Sequence, residues 1–292
     1  MNTNNKCTDM LNGTLYNKIF LFALPIALSS MLQQLFNAAD TSIVGFFDTT
    51  SSLAAVGTNS EIIALIVSIS AGISIGANVL IARQIGMKTT KNITSIIQNA
   101  LVLALAIGLL GFIAGQFIAT PLLILIKTPA DVLTSAALYL KIYFCSYPFL
   151  MIFDFGSAIL RAGGDSRYPF IALTFSGIVN ILLNMLFVIL FHIGVAGVAL
   201  ATVISTILSA LLILLRLWKD SSVFHLTFKC CKIKSEYIAD ILKIGIPSAI
   251  QSAVFCFANI FVQASINCFG ASAIAGNTIA INFEYFAYYL NP

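Results

Sequence analysis

The residue in this sequence best placed to do chemistry is Asp40. It stands near the end of a long apolar stretch, Phe22 to Gly45, with Asn37, Gln33 and Ser29 before it at helical spacing. On a helix these four residues form one polar stripe. A charge at the centre of a bilayer-spanning helix is unfavourable by about 2.5–3.5 kcal/mol on insertion scales, and acids kept there usually serve ion or proton pathways. A carboxylate oxygen among amide and hydroxyl oxygens suits a hard cation such as Na⁺. The same carboxyl group, once desolvated, can instead carry a proton.

Other apolar segments carry matching stripes. Ser176, Asn180 and Asn184 recur four residues apart, Thr202, Ser205, Thr206 and Ser209 share a second face, and Asn259, Gln263 and Asn267 a third. Such faces cannot point at lipid, where each unsatisfied polar group costs several kcal/mol. They must meet in a bundle interior or line a wet cavity. For the serines and threonines, interhelical hydrogen bonds of about 0.6 kcal/mol each are a sufficient account. Asp40 with Asn180 and Asn184 favours a cation or proton site. Gln33, Asn37, Asn259, Gln263 and Glu284 are the candidates for lining an adjoining cavity.

The elements that must position these residues follow from composition. Of 292 residues, 59% are hydrophobic and 9% charged, against about 25% charged in soluble domains. With a mean hydropathy of +0.99 the chain reads as an all-α polytopic membrane protein. Apolar runs long enough to span lie near 17–45, 53–82, 95–118, 136–159, 169–191, 194–217 and 240–268, and another begins near 273. With the N-terminus in the cytoplasm, 13 Lys and Arg fall inside and only Lys127 and Lys141 outside. That asymmetry fixes the expected orientation.

The charged stretch 218–239 reads as a linker, and the segment after it resembles the N-terminal one. Pro247, Ala249, Ser252 and Asn259 fall on Pro25, Ala27, Ser30 and Asn37, and AIAGNT (273–278) resembles AAVGTN (54–59). This weak repeat predicts two homologous bundles, as in many transporters. The expected organisation is a six-helix N-terminal lobe over 1–217, a cytoplasmic inter-lobe linker over 218–239, and over 240–292 the first one to two helices of a pseudo-symmetric second bundle. The position matching Asp40 is Val262. The proline and asparagine recur while the acid does not, which assigns the acid to function rather than to scaffold.

Other features have structural readings. Asp154 lies seven residues before Arg161, a spacing that predicts a helix-end ion pair. RAGGDSRYP, with Arg161, Gly164, Asp165, Arg167 and Pro169, reads as a cytoplasmic turn that clips helix ends. Gly72, Gly76 and Gly86 predict a face for close helix packing. Cys230-Cys231 reads as two small loop residues. His192 and His225 fall on opposite sides of the membrane and cannot share a metal. No phosphate-binding loop, HExxH or GxSxG occurs, so no enzyme is expected.

Together Pro25, Asp40 and Gly45, the ARQIG segment (82–86), RAGGDSRYP (161–169) and GVAGVALAT (194–202) resemble the multidrug and toxic compound extrusion (MATE) family over the whole chain. The resemblance implies two six-helix lobes around a cleft and roughly four further helices beyond residue 292. It also implies export of cationic or amphipathic drugs in exchange for Na⁺ or H⁺, with no other cofactor. The family's coupling-ion site falls on Asp40, Asn180 and Thr202. Where the family often has a second acid, this chain has Asn184, one carboxylate fewer. The expected setting is a bacterial inner membrane, with lipid and organic cations as partners, no nucleic acid, and a monomeric full-length protein. Two rivals are a lipid-linked sugar flippase of the related superfamily, against which the scarcity of membrane-embedded Lys and Arg counts, and a non-transporting scaffold.

Overall fold

Helices of 33 to 37 residues set the frame. At 1.5 Å per residue each is about 50 Å long, more than the roughly 30 Å hydrocarbon core requires. The computed structural model describes residues 15–87, 92–219 and 233–290. Lys6, Lys88, Lys91, Lys229 and Lys232, the Cys230-Cys231 pair, His225 and most of the 218–239 linker lie outside the described residues. The elements are α1 (Leu15–Phe47), α2 (Thr50–Gly86), α3 (Ile93–Leu125), α4 (Ala130–Cys145), α5 (Tyr147–Ala162), α6 (Arg167–Asn184), a π-helical turn (Met185–Leu190), α7 (Val195–Lys219), α8 (Ser235–Asn267) and α9 (Ala271–Leu290). No strand occurs among the described residues.

Six of these helices, counting the π turn with α6, are long and apolar enough to cross a membrane. The fourth expected span is broken. α4 and α5 meet at a 47° bend, where Pro148 has no N–H to continue the ladder. Taken as one span they bring the number to seven, and α9 adds a shorter apolar run, Ala271–Ile281. The chain is therefore an all-α polytopic membrane protein. Large apolar side chains on its outer faces, such as Phe117, Leu125 and Ile171, meet lipid rather than water.

α2 is the central element, packed against α4, α5, α8 and α9. Thr49 caps its start, accepting a hydrogen bond from the Ser52 N–H at 3.2 Å. Two apolar cores stack along it. One joins Ile81, Ile96, Met151, Phe155 and Ile213; the other joins Val44, Ile62, Leu123, Leu140 and Val198. α8 lies against α2 through small residues. A Cβ on Gly72 would stand 2.7 Å from the Ala249 nitrogen, and one on Gly245 would stand 2.6 Å from the Ile73 carbonyl oxygen. Gly76 shares this contact, as expected. Gly86 does not: nothing lies within 4 Å of the position its Cβ would take. α1 and α8, the helices of the repeat, have the same length and each contains its proline, Pro25 and Pro247.

The RAGGDSRYP segment forms a turn. Gly164 has φ +83°, a value glycine adopts without Cβ strain. The Asp165 N–H returns to the Leu160 carbonyl at 3.0 Å, and the Asp165 carboxylate accepts the Tyr168 N–H at 3.0 Å. The clip to a neighbouring helix comes from Arg216 on α7, 3.5 Å from Asp165 and stacked over the Tyr168 ring. Arg161 and Arg167 take no part in that ion pair, and Pro169 is buried in the first turn of α6. Asp154 and Arg161 interact through their charges as expected, without the close contact of an ion pair. Asp154 also accepts a hydrogen bond from Ser70 of α2 at 2.5 Å, which ties α5 to α2.

Candidate functional site

α1 and α6 pack closely because Phe36 lies over Gly177, leaving no room for a Cβ there. Further along the same interface, Asn184 Nδ2 donates to Asp40 Oδ1 at 2.5 Å. The same nitrogen donates to Asn180 Oδ1 at 3.1 Å. Asn180 Nδ2 donates in turn to Ser205 Oγ at 3.3 Å, and Ser205 Oγ donates to the Thr202 carbonyl at 2.9 Å. One chain of hydrogen bonds thus runs from α1 through α6 to α7. It forms because Asn180 and Asn184 stand one turn apart on the α6 face that meets both neighbours. Asn184 also ends α6 where the helix widens into the π turn, a local feature found often at functional sites.

Asp40 has a second aspect. It lines a cavity of about 390 Å³, within the size range of small-molecule sites. Ser30, Gln33, Asn37 and Thr41 join it on the α1 wall. Thr202 and Thr206 of α7 face the same space, although the Thr202 hydroxyl is bonded to the Val198 carbonyl at 3.0 Å and not to Asp40. Ser29 lies off the lining and donates to the Pro25 carbonyl at 2.7 Å. Asn184 is fully buried behind Asp40. Its Oδ1 is buried without a hydrogen-bond partner, which is costly in a low-dielectric interior.

That orphan oxygen tests whether the residues fit a cation. The Asp40 carboxylate, Asn184 Oδ1 and Asn180 Oδ1 are all hard oxygen donors, as an ion such as Na⁺ prefers. The set contains no thiolate or imidazole. It can equally carry a proton on Asp40. Both chemistries suit this group of side chains.

Three cavity-lining expectations are corrected. Gln263 is 2% exposed; it donates to Asn267 Oδ1 at 2.9 Å, and Asn267 donates to the Ile126 carbonyl at 2.8 Å. This pair pins α8 to the end of α3. Asn259 is half-buried on α8 and is not part of the lining. Glu284 is exposed on α9 and likewise lies off the lining. The stripes of Asn and Gln do not point to Glu61 of α2 or to Tyr139 and Tyr143 of α4, all of which stand on the cavity wall. Glu61 is only 3% exposed. An acid within the apolar run 53–82 is the available signal for it. The tyrosines, spaced i, i+4, merge with the apolar pattern.

This arrangement defines a polytopic helical membrane protein with an acid-bearing cavity among its spans. The MatE family model matches residues 25–186, more than half of the chain, and the chain belongs to that family. It is similar to the probable multidrug resistance protein YpnP of Bacillus subtilis (strain 168), 32% identical over 93% of this chain and 60% of that protein. A solved inward-facing conformation of a multidrug resistance MATE family transporter of the MOP superfamily is 26% identical, with a TM-score of 0.78 over 85% of this chain and 57% of its own. A crystal structure of MATE in complex with MaD3S shares the fold at a TM-score of 0.83, covering 98% of this chain and 64% of its own. The chain spans about 60% of the length of the curated relatives it matches.

Proposed function

We propose that this chain supplies the N-terminal lobe and the beginning of the C-terminal lobe of an exporter of cationic or amphipathic small molecules, coupled to Na⁺ or H⁺ at Asp40. One observation carries the reading: a cavity-facing carboxylate whose other side is tied through Asn184 and Asn180 to Ser205 on α7. With Asp40 charged, Asn184 donates to it and to Asn180, while Asn180 donates on to Ser205 and Ser205 to the Thr202 carbonyl. A proton on Asp40 makes it a donor to Asn184 Oδ1, once that amide turns over. The Asn180 amide, turning over as well, then donates to Asn184, Ser205 donates to Asn180, and the Thr202 carbonyl is released. Na⁺, when bound, supplies positive charge to the same carboxylate and to the orphaned Asn184 Oδ1. Either event alters the bonding between α1 and α7, so a drug that prefers one arrangement competes with the ion.

The names of the multidrug resistance relatives support drug export, and the acids on the cavity wall support a cationic cargo. The bias of Lys and Arg supports an N-terminus in the cytoplasm, and the bacterial relatives support the inner membrane. The flippase alternative calls for a cationic cavity, whereas the described lining holds Asp40 and Glu61 and neither Lys nor Arg. In energised vesicles, Asp40→Asn is expected to abolish cation-driven dye efflux while insertion and yield persist. Efflux at the wild-type rate from the variant overturns the reading.

A further inference from the structure

Charge and apolar surface also meet on the outside of the bundle, where α6 starts and α7 ends. Tyr168 holds the two helices together there. Its hydroxyl donates to the Leu212 carbonyl at 3.2 Å, and the Arg216 guanidinium lies 5.5 Å over its ring. Arg167, the first residue of α6, and Lys219, the last of α7, are both exposed. Asp165 engages Arg216 at 3.5 Å, whereas Arg167 and Lys219 form no ion pair among the described residues.

Each of these two bases heads an apolar stripe. On α6, Ile171 and Phe175 follow Arg167 at four-residue spacing and are 58% and 53% exposed. On α7, Leu211 and Leu215 precede Lys219 at the same spacing and are likewise exposed. Residues four apart lie on one helix face, so the antiparallel helices present two parallel stripes, both with the charge at the same end. Trp218, the only tryptophan of the chain, is exposed beside Lys219. Tryptophan and tyrosine favour the membrane–water interface, which sets this end at headgroup level and the stripes among the acyl chains. The Lys and Arg bias assigns this end to the cytoplasmic leaflet, whose anionic lipids attract basic side chains.

We infer that the α6–α7 seam binds an anionic phospholipid: Arg167 and Lys219 hold its phosphate, and its acyl chains lie along Ile171, Phe175, Leu211 and Leu215. A zwitterionic lipid matches the stripes but brings its own cation to the two bases. A free phosphate matches the bases and leaves the stripes unused. Only the anionic lipid uses both. A lipid held this way bridges α6 and α7, the same helices that the Asn180–Ser205 hydrogen bond joins further along. The assignment is independent of the exported cargo and of the coupling ion.

Trp218 makes the site readable, because no other tryptophan contributes to the signal. The purified chain is reconstituted in phosphatidylcholine bilayers containing either phosphatidylglycerol or phosphatidylcholine brominated on the acyl chains, and quenching of Trp218 is followed. Brominated phosphatidylglycerol is expected to reach half-maximal quenching at about one-tenth of the mole fraction that brominated phosphatidylcholine requires, equivalent to about 1.4 kcal/mol. Arg167→Gln combined with Lys219→Gln is expected to bring the two lipids within about twofold. Arg167→Lys combined with Lys219→Arg, which preserves the charge, is expected to keep the preference. Lys219→Gln alone, the milder change, is expected to lose about half of it on a logarithmic scale. Glycerol phosphate, a headgroup without chains, is expected to leave the quenching unchanged at millimolar concentration. Equal quenching by the two lipids in wild type overturns the inference. A full preference in both glutamine variants also overturns it, by placing the attraction elsewhere on the basic surface. Displacement of the lipid by glycerol phosphate overturns it as well, by making this a site for soluble phosphates.

Discussion

α1 and α8 are the same helix written twice and used for different ends. Each is 33 residues long with an internal proline, and Asn37 of one matches Asn259 of the other. α1 turns its polar stripe to the cavity and places Asp40 against Asn184. α8 buries Gly245 and Ala249 against α2, pins its end through Gln263 and Asn267, and leaves Val262, the counterpart of Asp40, 58% exposed. A shared framework is thus specialised by what a few positions meet. The acid in α1 has the Asn184 amide as its donor, whereas its counterpart position in α8 carries an exposed valine.

Substitutions can separate the scaffold role from the chemical one. Gly245→Leu forces a branched side chain into backbone contact with Ile73 and should destabilise the protein by about 3 kcal/mol, the upper end of ordinary overpacking. Thermal denaturation in detergent reads this directly. Val262→Asp should hinder insertion by up to about 2.5–3.5 kcal/mol, the value for a charge at the bilayer centre. It should add no second cation response to a thermal-shift titration. Asn267→Ala removes the bond to Ile126 and should cost about 0.6–1.7 kcal/mol, the range for membrane interhelical bonds, with the cation response retained. Ser205→Ala should change stability least, by under about 1 kcal/mol, yet weaken the cation response because it cuts the chain that leads from Asp40 to α7. A wild-type response in Ser205→Ala would limit the coupling to α1 and α6.

Much of this division is legible in the sequence. Helical spacing identifies Asp40, Asn180 and Asn184, since polar residues four apart in an apolar run have few other uses. The repeat separates Pro25 and Asn37 from Asp40 without knowledge of any contact. Spacing alone is less informative where helices meet. Gln263 and Asn259 carry the same stripe as the lining residues, and only the way α8 docks on α2 turns that stripe away from the cavity. The Asp154–Arg161 pair looks complete on one helix because Ser70, the hydrogen-bond donor to Asp154, lies 84 positions away in sequence. Glu61 is hidden by its apolar flanks, and the tyrosines by their dual character.

α1 thus carries a cation-responsive carboxylate, where α8 has Val262. The decisive measurement is the thermal stability of the purified chain titrated with Na⁺ against choline, and separately with acid, in wild type and Asp40→Asn. A ligand held only by the folded state stabilises it by about 2.7 kcal/mol at one hundred times its Kd. Wild type is expected to gain several degrees with Na⁺ or with protons, and Asp40→Asn to start at a similar Tm and gain nothing. Equal gains in the two proteins would contradict it.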